Sequence, residues 1–557
     1  MKIVRKQSPR AKASPLIWIA VIAMLLVLVL LFDQSRSGMD LPASWNEVAR
    51  FLRLNSGAGE LPTLTIDMAF AEYDQILRQR EDALASGVVL VGDADFMPAE
   101  IRYADQVVPV LMRLKQGSAV HLGEGEKWNF DVRTDAGQHL AGLQRFYLVD
   151  PADNNWLNEW AFGAALRRED VMAGRYQFVR LFLNGDDWGV YALQEGFDPQ
   201  LLAFNNRPEG VIVEYDASPL WRSIAYFGGD YQSVTADPVT NLTATDFQFF
   251  EVDTFRDATI ANDPQLTAQK DQAIGMLRGL QSGDLAASEI FDVEKYGRFL
   301  ALADLWGATE STSPLNLRYY FNPRSGLLEP IGFNANPLTS SERLSLASTY
   351  DDLNLQKAYA QAAARMSRPE YLADLEQTLQ PQMETRQQLL PSAADLPSPW
   401  ETLAQRQAEM RRSLNPLQPL FAYLGPPTLA QEGIIRIDVA NVLNLPLEIL
   451  GFDIDGATFL EVDPAWIQNN QNALIRGENG EIILRAAAND QSPTVGYVRF
   501  HLPLTQIIAQ DSELDFMHEL DIQVATRIVG QDEIQKTSAR PGYPDPVAGP
   551  TASNADQ

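Results

Sequence analysis

The residues best suited to chemistry lie at the ends of apolar, strand-like segments. Lys115 and Lys127 belong to early segments, Glu195 ends a later one, and Asn316 and Asn334 frame a second pair of strands. Lysine neutralises phosphate oxygens, and carboxylate or carboxamide oxygens hold Mg²⁺. These are the residue types of a phosphoryl-transfer site. The alternative interpretation is that Lys127 and Glu195 are solvated charges at strand edges.

The composition excludes several other chemistries. The 557 residues include no Cys and only four His, so disulfides, thiolate metal sites and cysteine nucleophiles are excluded. The formal net charge is −29. Because nucleic-acid binding requires a basic surface, we expect no nucleic-acid partner.

The N-terminus has the pattern of a membrane signal-anchor. A basic segment, residues 1–15, precedes an uncharged apolar run at residues 16–32. This order predicts a single-pass anchor in a bacterial cell membrane, with the N-terminus cytoplasmic and the bulk of the chain extracytoplasmic. A cleaved signal peptide and a buried helix are the alternatives.

The elements that must position these residues form a mixed body followed by a β-rich end. Two apolar runs flank Asn184-Gly185, which predicts a hairpin over residues 176–195. Helical patterns dominate beyond residue 264, with a second hairpin at residues 316–333. Five short strands after residue 434 indicate a small antiparallel β-sandwich.

The predicted fold class is therefore α+β, with an N-terminal transmembrane helix, a mixed body and a β-sandwich. Six segments follow from these patterns: 1–15 cytoplasmic, 16–32 membrane anchor, 33–61 linker, 62–425 main domain, 426–530 β-sandwich, and 531–557 disordered tail.

Several motifs resemble the spore coat protein H (CotH) kinase family. The hairpin around Asn184-Gly185, which continues as GVYALQE at residues 189–195, is the most specific motif. Four further segments carry the likeness: RLKQG at 113–117, EKWNFDV at 126–132, NLRYYFNP at 316–323 and EPIGFN at 329–334. The resemblance covers residues 61–337. It implies a diverged protein-kinase-like fold that uses ATP and Mg²⁺ or Mn²⁺ to phosphorylate proteins outside the cytoplasm.

The resemblance also implies roles for individual residues. Lys127 becomes the nucleotide-phosphate lysine, with Lys115 and Glu195 as further nucleotide-binding groups. Glu310 stands where active members carry the catalytic Asp, and Asn316 is retained as a metal ligand. Asn334 stands where members carry a metal-binding Asp. Asn is a neutral ligand and lacks the charge that helps to hold Mg²⁺.

Two main hypotheses remain open at this stage. The first is an envelope-anchored phosphotransferase that acts on an envelope protein, with Glu310 and Lys127 as catalytic residues. The second is a catalytically inactive binding or scaffold protein in the cell envelope. A third hypothesis is a carbohydrate-active protein, in which tryptophans such as Trp128 and Trp156 stack on sugars and Asp186 and Asp187 act as a carboxylate pair.

Overall fold

A computed structural model describes residues 61–123, 125–135, 137–226, 250–344, 351–391, 397–426, 433–469, 471–487, 496–506 and 521–542. In this part of the chain the fold is α+β, and its first sheet closes into a seven-stranded barrel.

The barrel segment contains ten strands and two helices. In chain order these are β1 (Thr63–Asp67), α1 (Phe70–Ser86), β2 (Val88–Val89), β3 (Met97–Tyr103), β4 (Gln106–Leu114), β5 (Gly117–Ser118), β6 (Phe130–Thr134), β7 (Arg145–Val149), α2 (Leu157–Arg168), β8 (Met172–Ala173), β9 (Tyr176–Leu183) and β10 (Asp186–Glu195). The barrel order is β1-β3-β4-β6-β7-β10-β9, and a parallel pairing of β1 with β9 closes it. Alternate inward residues such as Val110, Met112 and Leu114 fill the interior.

The predicted hairpin over residues 176–195 is confirmed as β9 and β10. Asn184 and Gly185 have φ values of 50° and 91°. Positive φ at both central residues is the requirement of the type I′ turn, whose twist matches that of the flanking strands. The Asn184 side chain also accepts a hydrogen bond from the backbone N–H of Met68 at 2.8 Å.

The middle of the chain forms a second sheet beneath a helical layer. Its elements are α3 (Pro199–Phe204), β11 (Ile212–Asp216), α4 (Ser218–Tyr226), β12 (Glu251–Thr254), α5 (Asp257–Ile260), α6 (Pro264–Ser282), α7 (Ala287–Ile290), α8 (Val293–Leu305), β13 (Arg318–Asn322), β14 (Leu327–Gly332), α9 (Leu353–Met366), α10 (Pro369–Gln387) and α11 (Pro399–Leu414). The sheet order is β12-β11-β13-β14-β8. The predicted second hairpin is therefore confirmed as β13 and β14.

Helix α8 is the central helix of this layer, and it is buried over most of its length. Its packing against α9 depends on Gly297, where an added Cβ would lie 2.6 Å from the backbone carbon of Ala358. Such a close approach of two backbones excludes any larger residue. The helix ends at Leu305, and the chain then enters the loops that carry the candidate site.

The C-terminal part consists of two further sheets. Its strands are β15 (Leu420–Leu424), β16 (Ile434–Asn441), β17 (Leu447–Ile454), β18 (Thr458–Glu461), β19 (Leu474–Arg476), β20 (Ile482–Leu484), β21 (Val498–Pro503), β22 (Ile522–Ile528), β23 (Gln535–Ser538) and β24 (Arg540–Pro541). One sheet has the order β21-β16-β15-β24, and the other has β19-β20-β17-β22-β23 with β18 beside β17. One hydrophobic cluster runs from α2 through the helical layer into both sheets.

The structure bears on two parts of the predicted chain organisation, the transmembrane helix and the C-terminal tail. No helix in the described ranges is long and apolar enough to cross a membrane, so the transmembrane helix in the predicted fold class is not supported. The segment that predicted it, residues 16–32, lies outside the described residues. Within the predicted tail, β23 pairs with β22 and β24 pairs with β15, so the sheets extend to Pro541.

Candidate functional site

The loop after β14 is the centre of the candidate site. Asn334 and Asn336 both have positive φ, at 46° and 45°, and Leu338 follows at 64°. Non-glycine residues adopt this conformation only where other contacts stabilise it, and asparagine tolerates it best. A run of three alternating left-handed residues therefore requires strong anchoring.

Helix α2 supplies that anchoring. The buried Glu159 carboxylate accepts hydrogen bonds from the backbone N–H of Ala335, at 3.1 Å to each oxygen, and of Asn336 at 3.0 Å. Just before the helix, the Asn155 side chain donates to the carbonyl of Pro337 at 2.7 Å. Residues on both sides of the α2 N-terminus thus hold the loop from 335 to 337.

Three of the predicted site residues meet at this loop. The Asn316 amide donates to the Glu310 carbonyl at 3.0 Å and contacts the Asn334 carbonyl at 3.4 Å. The Asn334 amide in turn contacts the Asn316 side-chain oxygen at 3.4 Å. The Asn336 amide donates to the Glu310 carboxylate at 2.8 Å. Glu310, Asn316, Asn334 and Asn336 therefore form one contact cluster, which we call the asparagine cluster.

The Asn334 side-chain oxygen is buried and accepts no hydrogen bond within the described residues. A buried acceptor without a donor costs about 1–3 kcal/mol, which a bound cation would offset. The donor set is nevertheless weak in charge. No group of three His, Cys, Asp or Glu side chains able to hold a metal occurs in the part of the chain that the structure describes. The amide oxygens of Asn316 and Asn334 fit a divalent ion that keeps several waters.

Lys115 directly follows β4 and faces the same region. Its amine lies 5.4 Å from the Tyr147 ring centroid and 5.6 Å from that of Phe333, the residue before Asn334. Among the described residues no carboxylate lies within salt-bridge distance of this amine. Burial lowers the pKa of Lys115 to about 8, against the opposing field of Asp153. Lys115 is thus a cation available for an anionic ligand.

Lys127 already has protein partners. Its amine donates to the Val190 carbonyl at 2.9 Å and lies 3.3 Å from the Asp150 carboxylate. Asp150 also caps the turn after β7, where it accepts from the Ala152 N–H at 3.1 Å. The amine therefore ties the segment before β6 to the β7 turn and to β10.

Glu195 is buried and is paired with Arg175. Its carboxylate accepts from the Arg175 backbone N–H at 2.8 Å and from Nε at 3.0 Å, and Nη2 makes a further contact. Glu195 and Glu159 both line a small cavity of about 20 Å³ between α2 and β10. The structure therefore gives Glu195 a partner inside the protein.

The Glu159 carboxyl lies in an electrostatic environment that favours its neutral form. Burial raises the pKa of Glu159 to about 7, in spite of the two backbone hydrogen bonds that favour its charged form. The nearby Glu310 raises this pKa further, whereas Lys115 lowers it. The charge on Glu159 therefore changes close to neutral pH, at the point where α2 holds the asparagine loop.

Comparison with known proteins bears on the segment that contains most of this site. Residues 123–336 match the family model described as CotH kinase protein. The chain carries a CotH-like domain. The match covers less than half of the chain. It includes Lys127, Glu195, Glu310, Asn316 and Asn334, whereas Lys115 lies before its first residue. A comparison with curated proteins found no match.

The CotH-like domain contains site residues that sequence reasoning did not identify. Glu159 and Asn336 hold the asparagine loop and Glu310, and Asp150 and Asp153 surround the two lysines. One signal was available for Asn336, because it repeats Asn334 at a spacing of two residues. Glu159 carries no such signal, since it looks like any acidic residue in the first turn of a helix.

The carbohydrate hypothesis requires exposed tryptophans, and the tryptophans of this segment are not exposed. Trp128, Trp156 and Trp160 are buried at 7–9% exposure. Trp188 packs edge-on against Trp128, with ring centroids 5.1 Å apart. Asp187 forms an ion pair with Arg180 in the hairpin. These tryptophans therefore serve the core rather than a sugar-binding surface.

Proposed function

We propose that the CotH-like domain binds ATP at the asparagine cluster and transfers its terminal phosphate to a hydroxyl group. The observation that carries this proposal is the position of Lys115. An amine with no carboxylate partner among the described residues stands beside the ring of Phe333. The next residue in the chain is Asn334, whose buried side-chain oxygen accepts no hydrogen bond there. Cation and oxygen ligands at one place are what a nucleotide with its metal ion requires.

Each residue then has a defined task. Lys115 neutralises phosphate oxygens, and Asn316 and Asn334 offer amide oxygens to Mg²⁺ or Mn²⁺, which would offset the remaining phosphate charge. Glu310 accepts the proton of the acceptor hydroxyl while the hydroxyl oxygen bonds to the γ-phosphorus and the bond to ADP breaks. Asn336 holds the Glu310 carboxylate in place.

Calorimetry with the full chain tests this assignment. ATP with Mg²⁺ should bind to the wild type, and Lys115→Met should weaken binding at least about tenfold, the loss expected for one charge-assisted hydrogen bond. Lys357→Met, at an exposed position on α9, is the matched control and should bind as the wild type does. Absence of ATP binding in the wild type, or equal binding by both variants, would refute the proposal.

The second candidate function is a catalytically silent binding protein, which the neutral metal ligands favour. Asn316 and Asn334 supply no charge, and Glu310 is the one carboxylate of the asparagine cluster. Incubation with labelled ATP and a mixture of envelope proteins separates the two candidates, since transferred label supports the kinase alone. Location at the outer face of a bacterial membrane and the identity of a protein substrate stay predictions.

A further inference from the structure

A second cavity lies far along the chain from the asparagine cluster, between the helical layer and the C-terminal sheets. It has a volume of about 260 Å³, and the ends of α9, α10 and α11 face the β22–β23 turn across it. Junctions between structural layers are common places for small-ligand sites. The volume suits a ligand smaller than a nucleotide.

Two arginines without carboxylate partners line this cavity. The Arg411 guanidinium donates to the Ser367 carbonyl from both Nε, at 3.0 Å, and Nη2, at 2.5 Å, and these contacts fix its orientation. Arg368 precedes the first residue of α10 and is exposed. Neither guanidinium has a carboxylate within 4.0 Å among the described residues. In a chain with 73 acidic and 44 basic residues, two guanidinium groups without a carboxylate partner at one cavity favour an external anion.

Acceptors for hydroxyl groups lie on the opposite wall. The Gln535 side-chain oxygen is buried and has no hydrogen-bond donor in the ranges that the structure describes. Gln531 uses its amide N–H to bond the Ala360 carbonyl at 2.7 Å, which turns its amide oxygen away from that contact. Glu533 lines the same wall and is exposed. These oxygens accept hydrogen bonds from hydroxyl groups of a ligand. An anion without hydroxyl groups would be repelled by the Glu533 carboxylate.

We propose that this cavity binds a small hydroxylated carboxylate, of which an acidic monosaccharide is an example. The carboxylate pairs with Arg368 and Arg411, and the hydroxyls donate to the amide and carboxylate oxygens of the β22–β23 turn. Arg368 offers a planar carboxylate two parallel N–H bonds, and Arg411 adds the N–H groups that do not bond to Ser367. The proposal is independent of ATP binding, because the asparagine cluster contributes no residue to the cavity.

Titration calorimetry of the full chain with glucuronate, glucose and inorganic phosphate tests the proposal. Glucuronate should bind with a Kd of about 1 mM or below, and glucose should bind at least tenfold more weakly. Arg368→Gln should weaken glucuronate binding at least about tenfold, the loss of one charged hydrogen-bonding partner. Arg412→Gln, an equal charge change at an exposed neighbour of Arg411, is the control and should leave binding unchanged.

A further variant tests the hydroxyl contacts. Gln535→Leu should reduce glucuronate affinity and leave phosphate affinity unchanged, because phosphate uses the arginines alone. Phosphate binding as tight as glucuronate binding, with no effect of Gln535→Leu, would overturn the hydroxylated-ligand class. Absence of glucuronate binding in the wild type, or equal losses in the Arg368 and Arg412 variants, would overturn the site itself.

Discussion

Replacement of Glu159 by Gln tests the electrostatics of the α2 anchor. The substitution keeps the size of the side chain and removes the ionisable group. One of the two oxygens that accept from Ala335 and Asn336 becomes an NH₂ donor. The variant therefore loses part of the loop anchor, but it also loses the cost of a charge buried between Glu310 and the protein interior.

The size of the effect follows from the shift in pKa. The pKa of Glu159 rises from 4.5 to about 7 on folding, and burial is the largest cause. A raised carboxyl pKa means that the folded state binds the proton more tightly than the unfolded state does. The protonated Glu159 therefore adds to the free energy of unfolding. This contribution is fully present below pH 4.5 and is lost as pH rises through 7. The loss is about 3 kcal/mol in total, and between pH 5 and pH 8 it is about 2.5 kcal/mol.

Urea denaturation at pH 5 and pH 8 measures this loss. The wild type should lose about 2.5 kcal/mol more of its unfolding free energy between these pH values than Glu159→Gln does. Glu376→Gln, on an exposed face of α10, is the matched control and should follow the wild type. If Glu159→Gln shows the same pH dependence as the wild type, the carboxyl does not titrate in this range and the reasoning fails.

Three further substitutions have defined outcomes. Arg175→Met leaves the buried Glu195 carboxylate unpaired, so it should destabilise the protein by about 3–5 kcal/mol in urea unfolding. Gly307→Ala places a Cβ 2.6 Å from the Ser340 carbonyl oxygen, at a residue whose φ is 56°. This substitution should lower the thermal midpoint of unfolding by several degrees. The control, Gly275→Ala at an exposed position with open space, should not lower it. Asn334→Asp adds a carboxylate to the asparagine cluster, so it should tighten Mn²⁺ binding about tenfold in a titration; an unchanged affinity would mean that this position does not contact the metal.

Local signals predicted those parts of the fold that local contacts determine. The Asn184-Gly185 turn has one favoured backbone geometry, and the hairpin around it was predicted correctly. The start of the body, by contrast, depends on pairing with distant strands. In the structure β1 ends at Asp67 and α1 begins at Phe70. The short strand is stabilised by pairing with β3 and β9, and the distant β9 is invisible to a local pattern.

The difference between local and long-range contacts also explains which site residues could be predicted from the sequence. Glu310 and Asn316 are six positions apart, and their contact is accessible to a local argument. Glu159 and Asn336 are 177 positions apart, so their hydrogen bond exists only because α2 packs against the end of β14. The partners of Lys127 lie on strand neighbours in the barrel, which local patterns do not predict. Arg175 and Glu195, by contrast, face each other at the open end of the predicted hairpin.

The barrel and the second sheet contribute different parts of the site, and helix α2 connects them. Lys115 directly follows β4 of the barrel, whereas Glu310 and Asn334 follow α8 and β14 of the second layer. Glu159 contacts the loop of the second layer and influences the charge of Lys115. A shift of α2 would therefore move the asparagine loop relative to the lysine. For this reason protonation of a single carboxyl on α2 should affect ligand binding as well as stability.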